Sequence, residues 1–417
     1  MSSPAPIADV VPSPPAASAR LLSLDVLRGF DMVWILGADA VMRKLGEATD
    51  APPFTFLAGQ FEHKAWAGLG FYDLIFPLFL FMVGVSLVFS LSRTLEQGGR
   101  PQAVRRILIR GAVLFLLGIF YNGGLMNPWP EVRLLGVLQR IALVYTASAL
   151  LFCFFTPRAL ARTCVVLLAG YWALLSFVSL RPVVLDRTTL PAAMGLARLP
   201  TPAEAKVFYN AAADKRVTGG YSPGLNLANH FDFEHLPGRK HYVYWDPEGL
   251  LSTLPAIASC LIGVFAGLLL RQREVDDAAR LRRLVVAGVV LLVLGWLWHL
   301  QFPVVKKIWT SSYVLVTGGY SLLLLAAFYY VVDVRRWRGA WCAPFVWIGM
   351  NPITLYLANN LLGSARAAQR LVGGSVQLSV SAAFSPAAGE LLIELASVAL
   401  LLVLAWFLHR RQIFLRV

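Results

Sequence analysis

Residues 61–90 read "FEHKAWAGLGFYDLIFPLFLFMVGVSLVFS", and this stretch places ionisable groups directly beside an apolar run. The run from about residue 72 to 92 is long enough to cross a bilayer as a helix of about 20 residues. Glu62, His63 and Asp73 stand at its start, where charge is costly and usually serves function. The stretch therefore predicts a membrane helix with a functional polar group at one end.

The composition of the whole chain extends this interpretation. Of 417 residues, 58% are hydrophobic and 14% are charged, whereas soluble domains are usually about one quarter charged. The apolar stretches run for about 20 residues without the alternation that a membrane barrel requires. The predicted fold class is all-α, as a polytopic bundle of membrane helices.

Hydropathy predicts about ten transmembrane helices. They lie at about 22–44, 72–92, 107–121, 134–155, 163–180, 249–270, 284–300, 311–331, 342–362 and 388–408. The third is short, and the ninth carries Asn351 and Pro352, which interrupt its apolar pattern.

The distribution of basic residues orients this bundle. With ten spans, 18 Arg and Lys residues fall in the tails and loops on one side, and 8 in the short loops on the other. The positive-inside rule then predicts that both termini are cytoplasmic. Because this topology accounts for most of the net charge of +14, no nucleic-acid partner is expected.

Two segments lie outside the bundle. Residues 1–20 are rich in Pro, Ala and Ser and lack the basic and apolar regions of a signal peptide, so they predict a disordered cytoplasmic tail. The remaining chain, 21–417, forms one transmembrane domain. Residues 181–248 contain no spanning run and predict an extracytoplasmic loop, which we call the cap.

The first span carries several ionisable residues. Asp25 and Arg28 have the spacing of an ion pair on a helix surface, and pairing at the interface is a sufficient structural reason for Asp25. Asp39 lies 14 residues further on, within about 40° of the same face of a regular helix and about 21 Å along its axis. This helix would therefore present polar groups towards both sides of the membrane.

His63 is the strongest candidate for chemistry. A lone histidine at an interface often has only a structural role, but a neutral imidazole oriented by a carboxylate is a competent general base or nucleophile. Asp39 and Asp73 are both in range by topology. Trp66 could belong to the interfacial aromatic belt or form the wall of a pocket.

Further polar residues border the membrane and together indicate a polar cavity within the bundle. They are Gln139 and Arg140 in "VRLLGVLQR", Asp246 and Glu248 in "YWDPEG", Lys306 and Lys307 in "FPVVKKIW", and Asn351 in "GMNPITLY". Each has a simpler explanation when taken alone, such as helix capping for the acidic pair or an interface anchor for the lysines.

Metal binding and a disulfide framework are not expected. His230, His235 and His241 are spaced by five and six residues, which matches no standard zinc site. The four cysteines fall inside or at the ends of apolar runs, and the cap contains none.

An ordered series of motifs gives the chain a family resemblance. The motifs are "SLDVLRGFDMVW", "HKAWAGLGFYDLIFPLFLFMVGVSL", "VRLLGVLQR", "YWDPEGLLSTLPAI", "FPVVKKIWTSSYVLVTGGY" and "FVWIGMNPITLY". It resembles the heparan-α-glucosaminide N-acetyltransferase family and its bacterial relatives, within the transmembrane acyltransferases. The resemblance covers nearly the whole chain except the tail and much of 181–240.

The resemblance implies an acetyl-CoA-dependent N-acetyltransferase that moves an acetyl group from cytoplasmic acetyl-CoA to the amino group of a glucosamine-type sugar across the membrane. The family's active-site histidine matches His63, and its "S-x-D-x-x-R-G" motif matches Asp25 and Arg28. Where the lysosomal enzyme has an asparagine near its histidine, this chain has Asp39.

These implications complete the predicted site. The catalytic group is His63 with Asp39 or Asp73, and acetyl-CoA is the only cofactor expected. The cofactor-binding residues are Asp25, Arg28, Gln139 and Arg140. The substrate-binding residues are Trp66, Asp246, Glu248, Lys307 and Asn351, with Asn351 as a possible donor to the oxyanion.

The partners and location follow from the same resemblance. We expect an integral protein of a bacterial plasma membrane, which meets acetyl-CoA, an amino-sugar acceptor and the lipid bilayer and could form a homodimer. The mechanism could use a ternary complex or an acetyl-histidine intermediate. A transporter of amino sugars without acyl transfer is the alternative function, and a purely structural membrane protein would leave the buried charges unexplained.

Overall fold

The computed structural model describes residues 21–49, 51–212, 214–272 and 274–414, so the predicted tail at 1–20 lies outside the described residues. Within these ranges the chain is helical apart from loops and one small antiparallel sheet, which pairs Ser179–Leu180 with Val217–Thr218. The all-α prediction is confirmed.

Seven of the described helices are long and apolar enough to cross a membrane. They are Phe71–Tyr121, Val137–Phe154, Pro157–Phe177, Thr253–Arg271, Asp277–His299, Ser311–Val334 and Pro386–Arg410, where Ser311–Val334 joins the α-helix Ser311–Phe328 to the π-helical turn Tyr329–Val334. They coincide with predicted spans. The chain is therefore an integral membrane protein, while the count of about ten spans and the cytoplasmic termini stay predictions.

The first predicted span is a broken helix. It consists of Leu22–Val33, a π-helical turn at Trp34–Ala38 and Asp39–Ala48. Gly37 has φ 122° inside the turn, a conformation that glycine adopts most readily. The projection of Asp39 onto the face of Asp25 assumed a regular helix, so it does not hold across this break.

The second and third predicted spans are the two halves of one element, Phe71–Tyr121, which we call the long helix. Its helical geometry is interrupted at Gly99, with φ 69°. Arg106 donates to Thr94 at 2.9 Å, although 12 residues of straight helix would span about 18 Å. The chain therefore turns back at Gly99.

The ninth predicted span is also broken. It runs through Cys342–Met350 and Pro352–Ala358 to a π-helical turn at Asn359–Gly363. Asn351, between the two helices, has φ −132° and ψ 45°. The sequence correctly placed a break beside Pro352, because a proline cannot supply the backbone donor of a helix interior.

The remaining helices are short. Outside the cap they are Pro52–Gln60, Gly124–Met126, Trp129–Glu131, Ser364–Val372 and Ser375–Ala383. Inside the cap they are Thr189–Ala193, Pro202–Ala211 and Leu227–His235. The cap has its own apolar core, which includes the buried Leu185, Tyr209, Tyr244 and Trp245, so it folds over the bundle as a compact layer.

Glycines allow the long helix to pack closely against Thr253–Arg271. A Cβ atom on Gly263 would lie 1.9 Å from the Phe81 carbonyl oxygen, and one on Gly84 would lie 2.0 Å from that of Cys260. Such small-residue contacts are typical of membrane helix pairs. The "GVFAG" pattern at 263–267 therefore serves close packing.

Candidate active site

His63 and Asp73 are brought together where the long helix begins. His63 Nδ1 lies 2.8 Å from Asp73 Oδ1. The carboxylate side chain is 1% exposed, whereas the imidazole is 53% exposed. A buried carboxylate at this distance favours the tautomer with the proton on Nδ1, which leaves Nε2 as an accessible base or nucleophile.

The backbone fixes the other oxygen of Asp73. Oδ2 accepts from the amides of Gly70, at 3.1 Å, and Lys64, at 3.2 Å. Asp73 is the third residue of the long helix, so its side chain also caps the helix N-terminus, where negative charge is favoured. The carboxylate is thereby held in one orientation towards His63.

A tight turn brings Lys306 to the same carboxylate. Lys306 Nζ lies 3.3 Å from Asp73 Oδ1 and 3.2 Å from His63 Nδ1. The turn is joined to the histidine segment by the amide of Gly68, which donates to the Val304 carbonyl at 2.9 Å. Burial lowers the pKa of Lys306, and the adjacent carboxylate favours its charged form.

Asp39 does not take this place beside His63. It is buried and forms an ion pair with Arg43 at 2.6 Å, and Arg43 also donates to the Phe61 carbonyl at 3.3 Å. Of the two carboxylates that the sequence left open, the structure places Asp73 on the imidazole and Asp39 with an arginine.

Asp246 and Glu248 lie in a network at the base of the cap. Arg133 donates to both oxygens of Asp246, at 2.9 and 2.8 Å, and to Glu248 at 2.9 Å. Burial alone would raise the pKa of Asp246, but the hydrogen bonds and charge of Arg133 lower it. Burial and the charge of Asp246 raise the pKa of Glu248 above its ordinary value.

Arg140 lies with this network, away from Arg28. It is fully buried, donates to the Gly249 carbonyl at 3.3 Å and to Ser252, and faces the Trp309 ring at 5.0 Å. Its Nε and Nη1 atoms have no hydrogen-bond partner among the described residues. Arg140 therefore lies at the end of the bundle that holds His63, and its role in binding the cofactor stays a prediction.

Gln139 is fully buried beside Arg140 in the chain, and its side-chain oxygen accepts from Asn122 at 3.4 Å. A Cβ on Gly118 would lie 2.4 Å from the same oxygen. These contacts tie the returning half of the long helix to Val137–Phe154, and a role of Gln139 in binding the cofactor stays a prediction.

Asp25, Arg28 and Asn351 form a second polar group. Arg28 pairs with Asp25 at 3.2 Å and donates to the Gly349 carbonyl at 3.1 Å and to Ser86 at 2.7 Å. Ser86 is 13 residues after Asp73 on the long helix, so this group lies about 20 Å away along the axis.

Asn351 lies two residues after Gly349 and is 1% exposed. It donates to the Ile413 carbonyl at 3.0 Å, beyond the end of Pro386–Arg410. These contacts lie on the side of Gly349 and Arg28, and a role of Asn351 as donor to the oxyanion stays a prediction.

Trp66 and Lys307 line the side of His63 that faces the cap. The Trp66 indole donates to the Tyr221 carbonyl at 2.6 Å and packs edge-on against Trp245. Lys307 donates to the Ala65 carbonyl at 2.8 Å and lies 4.9 Å from the centre of the Tyr242 ring. An aromatic cluster with one cation thus lies on the chain segment that directly follows His63.

The cap histidines have separate surroundings. His230 is buried between the Tyr209 hydroxyl, at 3.1 Å, and the Val183 carbonyl, at 3.0 Å. His235 is exposed and packs against Phe231. These contacts are structural.

Two cavities are found on apolar helix faces, with volumes of about 680 and 640 Å³. The first adjoins Arg100 and Phe154, and the second lies between Pro157–Phe177 and Asp277–His299. None of the predicted site residues lines either cavity. The polar cavity that the sequence predicts within the bundle therefore stays a prediction.

The sequence did not select Lys306 or Arg133 as site residues. Lys306 was visible in "FPVVKKIW", but the predicted site included its neighbour Lys307 instead. Arg133 is the second residue of "VRLLGVLQR" and entered only the charge count. Their partners are more than 100 positions away in the chain, so local sequence carries no sign of these contacts.

The fold and the site together define a polytopic membrane protein with a histidine, a carboxylate and a lysine in contact at one end of the bundle. Residues 20–201 match the family described as heparan-alpha-glucosaminide N-acetyltransferase, catalytic. The proteins of that name from mouse and human are 29% and 27% identical to this chain, and each comparison covers 72% of the chain and 49% of the relative.

These similarities confirm the family resemblance that the sequence motifs predict. The chain spans about half the length of the curated relatives it matches. His63, Asp73, Asp25 and Arg28 fall inside the segment matched by the family, while Lys306 lies outside it.

Proposed function

We propose that the chain is a membrane acetyltransferase that transfers the acetyl group of cytoplasmic acetyl-CoA to the amino group of a glucosamine-type sugar on the extracytoplasmic side. The observation that carries the proposal is the His63–Asp73 pair, which lies within the segment matched by the N-acetyltransferase family. Acetyl-CoA is the donor, and no metal is required.

In the proposed mechanism, Asp73 holds the proton on His63 Nδ1, and Nε2 acts as the base. The acceptor reacts as a neutral amine, whose ammonium form first gives one proton to water. As its nitrogen attacks the thioester carbonyl carbon, His63 removes a second proton and the C–N bond forms. The C–S bond then breaks, and the imidazolium returns its proton to the CoA thiolate.

The two polar groups have separate tasks in this proposal. Arg28 suits the phosphates of acetyl-CoA because a guanidinium forms strong, directional hydrogen bonds with phosphate oxygens. The pantetheine arm would then bridge the distance of about 20 Å along the long helix to His63. Trp66, Lys307, Asp246 and Glu248 surround the acceptor side.

The alternative mechanism forms acetyl-histidine at Nε2 before the acceptor binds. Incubation with radiolabelled acetyl-CoA alone distinguishes the two routes. Label retained on wild type but not on His63→Ala supports the covalent route, whereas release of CoA only when the sugar is present supports the ternary complex.

The main test is release of CoA from acetyl-CoA by detergent-purified protein against a panel of amino sugars. We expect turnover by wild type and a loss of at least about 100-fold in His63→Ala. His235→Ala removes another exposed imidazole and should retain activity.

A transporter is the second candidate, because helices broken at Gly37 and Asn351 are typical of transporter binding sites. Uptake of amino sugar without any turnover of acetyl-CoA would replace the acetyltransferase proposal.

A further inference from the structure

Lys306 lies beside the histidine–carboxylate pair and outside the family match, and the sequence motifs predict no part for it in the chemistry. Its ammonium contacts the edge of the imidazole that also faces Asp73, at 3.2 Å from Nδ1 and 3.3 Å from Oδ1. Its side chain is 22% exposed, so solvent screens this charge only partly.

A carboxylate alone would favour the wrong protonation state for a base. Asp73 attracts an imidazolium, and a protonated His63 cannot accept a proton at Nε2. A second positive charge within about 4 Å opposes that protonation. Lys306 can therefore let Asp73 orient the ring while the ring stays neutral.

Hydrogen bonds within its turn fix the position of Lys306. Its carbonyl accepts from the amide of Trp309 at 3.0 Å, and the Thr310 hydroxyl donates to the Pro303 carbonyl at 2.8 Å. Trp309 is 1% exposed and has φ 51°. A bulky residue rarely adopts this left-handed conformation unless its surroundings impose it.

Contacts of the Trp309 side chain hold the residue in this left-handed conformation. Its indole donates to Ser259 at 3.1 Å and packs against Phe76, Tyr313 and the guanidinium of Arg140. Tyr313 in turn donates to the backbone carbonyl of Asp73 at 2.7 Å. The strained turn and the carboxylate are thus held by the same packed group.

We propose that Lys306 is a positioning residue whose ammonium, bonded to Asp73 at the Nδ1 edge, keeps the His63 imidazole neutral and ready to accept a proton at Nε2. This inference rests on the proposed function for its kinetic consequence, but the protonation effect can be measured without catalysis.

Other charged and titratable groups surround the imidazole. Asp73 and Tyr72 face it from the long helix, with the Tyr72 ring 4.8 Å from the imidazole ring. Glu62 and Lys64 flank it in the chain and are exposed. Lys307 is bonded to the Ala65 carbonyl. Among these described groups, Lys306 is the cation that contacts both ring and carboxylate.

The first experiment measures kcat/KM against pH for wild type, Lys306→Met and Lys306→Arg. In Lys306→Met the acidic limb of the profile of kcat/KM against pH should move to higher pH by about one unit. The kcat/KM of this variant should be about tenfold below that of wild type at pH 6.5, and the difference should shrink at pH 8.5. Lys306→Arg retains the charge and should keep the wild-type limb.

Lys64→Met is the matched control, because it removes an exposed ammonium one residue from His63. It should leave the acidic limb in place. The proposal is overturned if Lys306→Met loses activity equally at every pH, or if Lys64→Met shifts the limb as much as Lys306→Met does.

The second experiment needs no turnover. Diethyl pyrocarbonate modifies neutral imidazole, and mass spectrometry can follow its rate on the peptide containing His63 at a series of pH values. Lys306→Met should need a higher pH for the same rate. A wild type without acetyl-CoA turnover would refute the proposed function, whereas identical modification profiles would refute the role of Lys306.

Discussion

At the scale of single residues, Asp73 has the most constrained position in the site. One oxygen contacts His63 and Lys306, and the other accepts two backbone amides. Because the carboxylate is both buried and fully bonded, its orientation is fixed by the fold before any substrate binds. The contact with Asp73 therefore also orients the His63 imidazole.

Asp73→Asn should lower kcat by roughly 10²- to 10⁴-fold. The amide would donate to Nδ1 and leave the proton on Nε2, where the base is needed. Steady-state release of CoA measures the effect. Asp39→Asn is the matched control: it keeps the Asp73 contact and should retain activity within about tenfold. Equal losses in the two variants would contradict the assignment of Asp73.

Asp232 makes stability depend on pH. It accepts the amides of Leu250, at 2.9 Å, and Asp246, at 3.4 Å, and burial raises its pKa to about 7. The folded state therefore binds more protons than the unfolded state between the ordinary pKa of 3.8 and about 7. The contribution of Asp232 to the free energy of unfolding is complete below that pH window and is lost as pH rises through it.

Asp232→Asn should flatten this dependence, since an amide does not ionise. The free energy of unfolding of wild type should fall relative to the variant by up to about 1.4 kcal/mol per pH unit between pH 5 and 7. Thermal unfolding in detergent at pH 5, 6, 7 and 8 measures it. Parallel profiles for the two proteins would show that Asp232 ionises normally in the fold.

At the scale of helices, breaks and close contacts create the site. Gly37 interrupts the first span, Gly99 turns the long helix back, and Asn351 separates two short helices. The close pair formed by the long helix and Thr253–Arg271 supplies a rigid base. Asp73 stands at the start of the long helix, and the rigid pair fixes its position.

Gly263→Ala should destabilise this pair, because the new methyl group would lie 1.9 Å from the Phe81 carbonyl oxygen. Separation of the helices should cost about 1–3 kcal/mol and lower the midpoint of thermal unfolding in detergent. Gly170→Ala, in Pro157–Phe177, is the control, since nothing lies within 4 Å of its added methyl. It should be neutral or slightly stabilising.

At the scale of the whole molecule, the two polar groups lie at different depths. The predicted orientation puts Arg28 nearer the cytoplasm and His63 with the cap on the other side. A donor and an acceptor on opposite sides would then meet through the bundle. The proposal therefore depends on the orientation of the chain.

Single cysteines at exposed positions test that orientation. Ala197→Cys, in the cap, should react with a membrane-impermeant maleimide in intact cells, whereas Gln97→Cys, beside the Gly99 turn, should react only after permeabilisation. The four native cysteines are buried, so background labelling should be low. The reverse pattern would invert the topology, place His63 on the cytoplasmic side and exclude Arg28 as the binding site of cytoplasmic acetyl-CoA.

Much of this architecture is already present in the sequence, because membrane helices are specified locally. Lipid requires long apolar runs whose backbone groups bond within each helix, so hydropathy predicts where those runs lie. Pro352 likewise predicted the break in the ninth span. The match of "HKAW" and "SLDVLRG" to the family also pointed to His63, Asp25 and Arg28 directly.

Only the tertiary structure decided which groups touch. His63 could have met Asp39 or Asp73 by topology, and the capped start of the long helix selected Asp73. Lys306 reaches His63 from 243 positions away in the chain, through a turn whose strain is held by packing around Trp309. Apolar periodicity and local motifs act over a few residues, whereas such contacts depend on how the helices pack against one another.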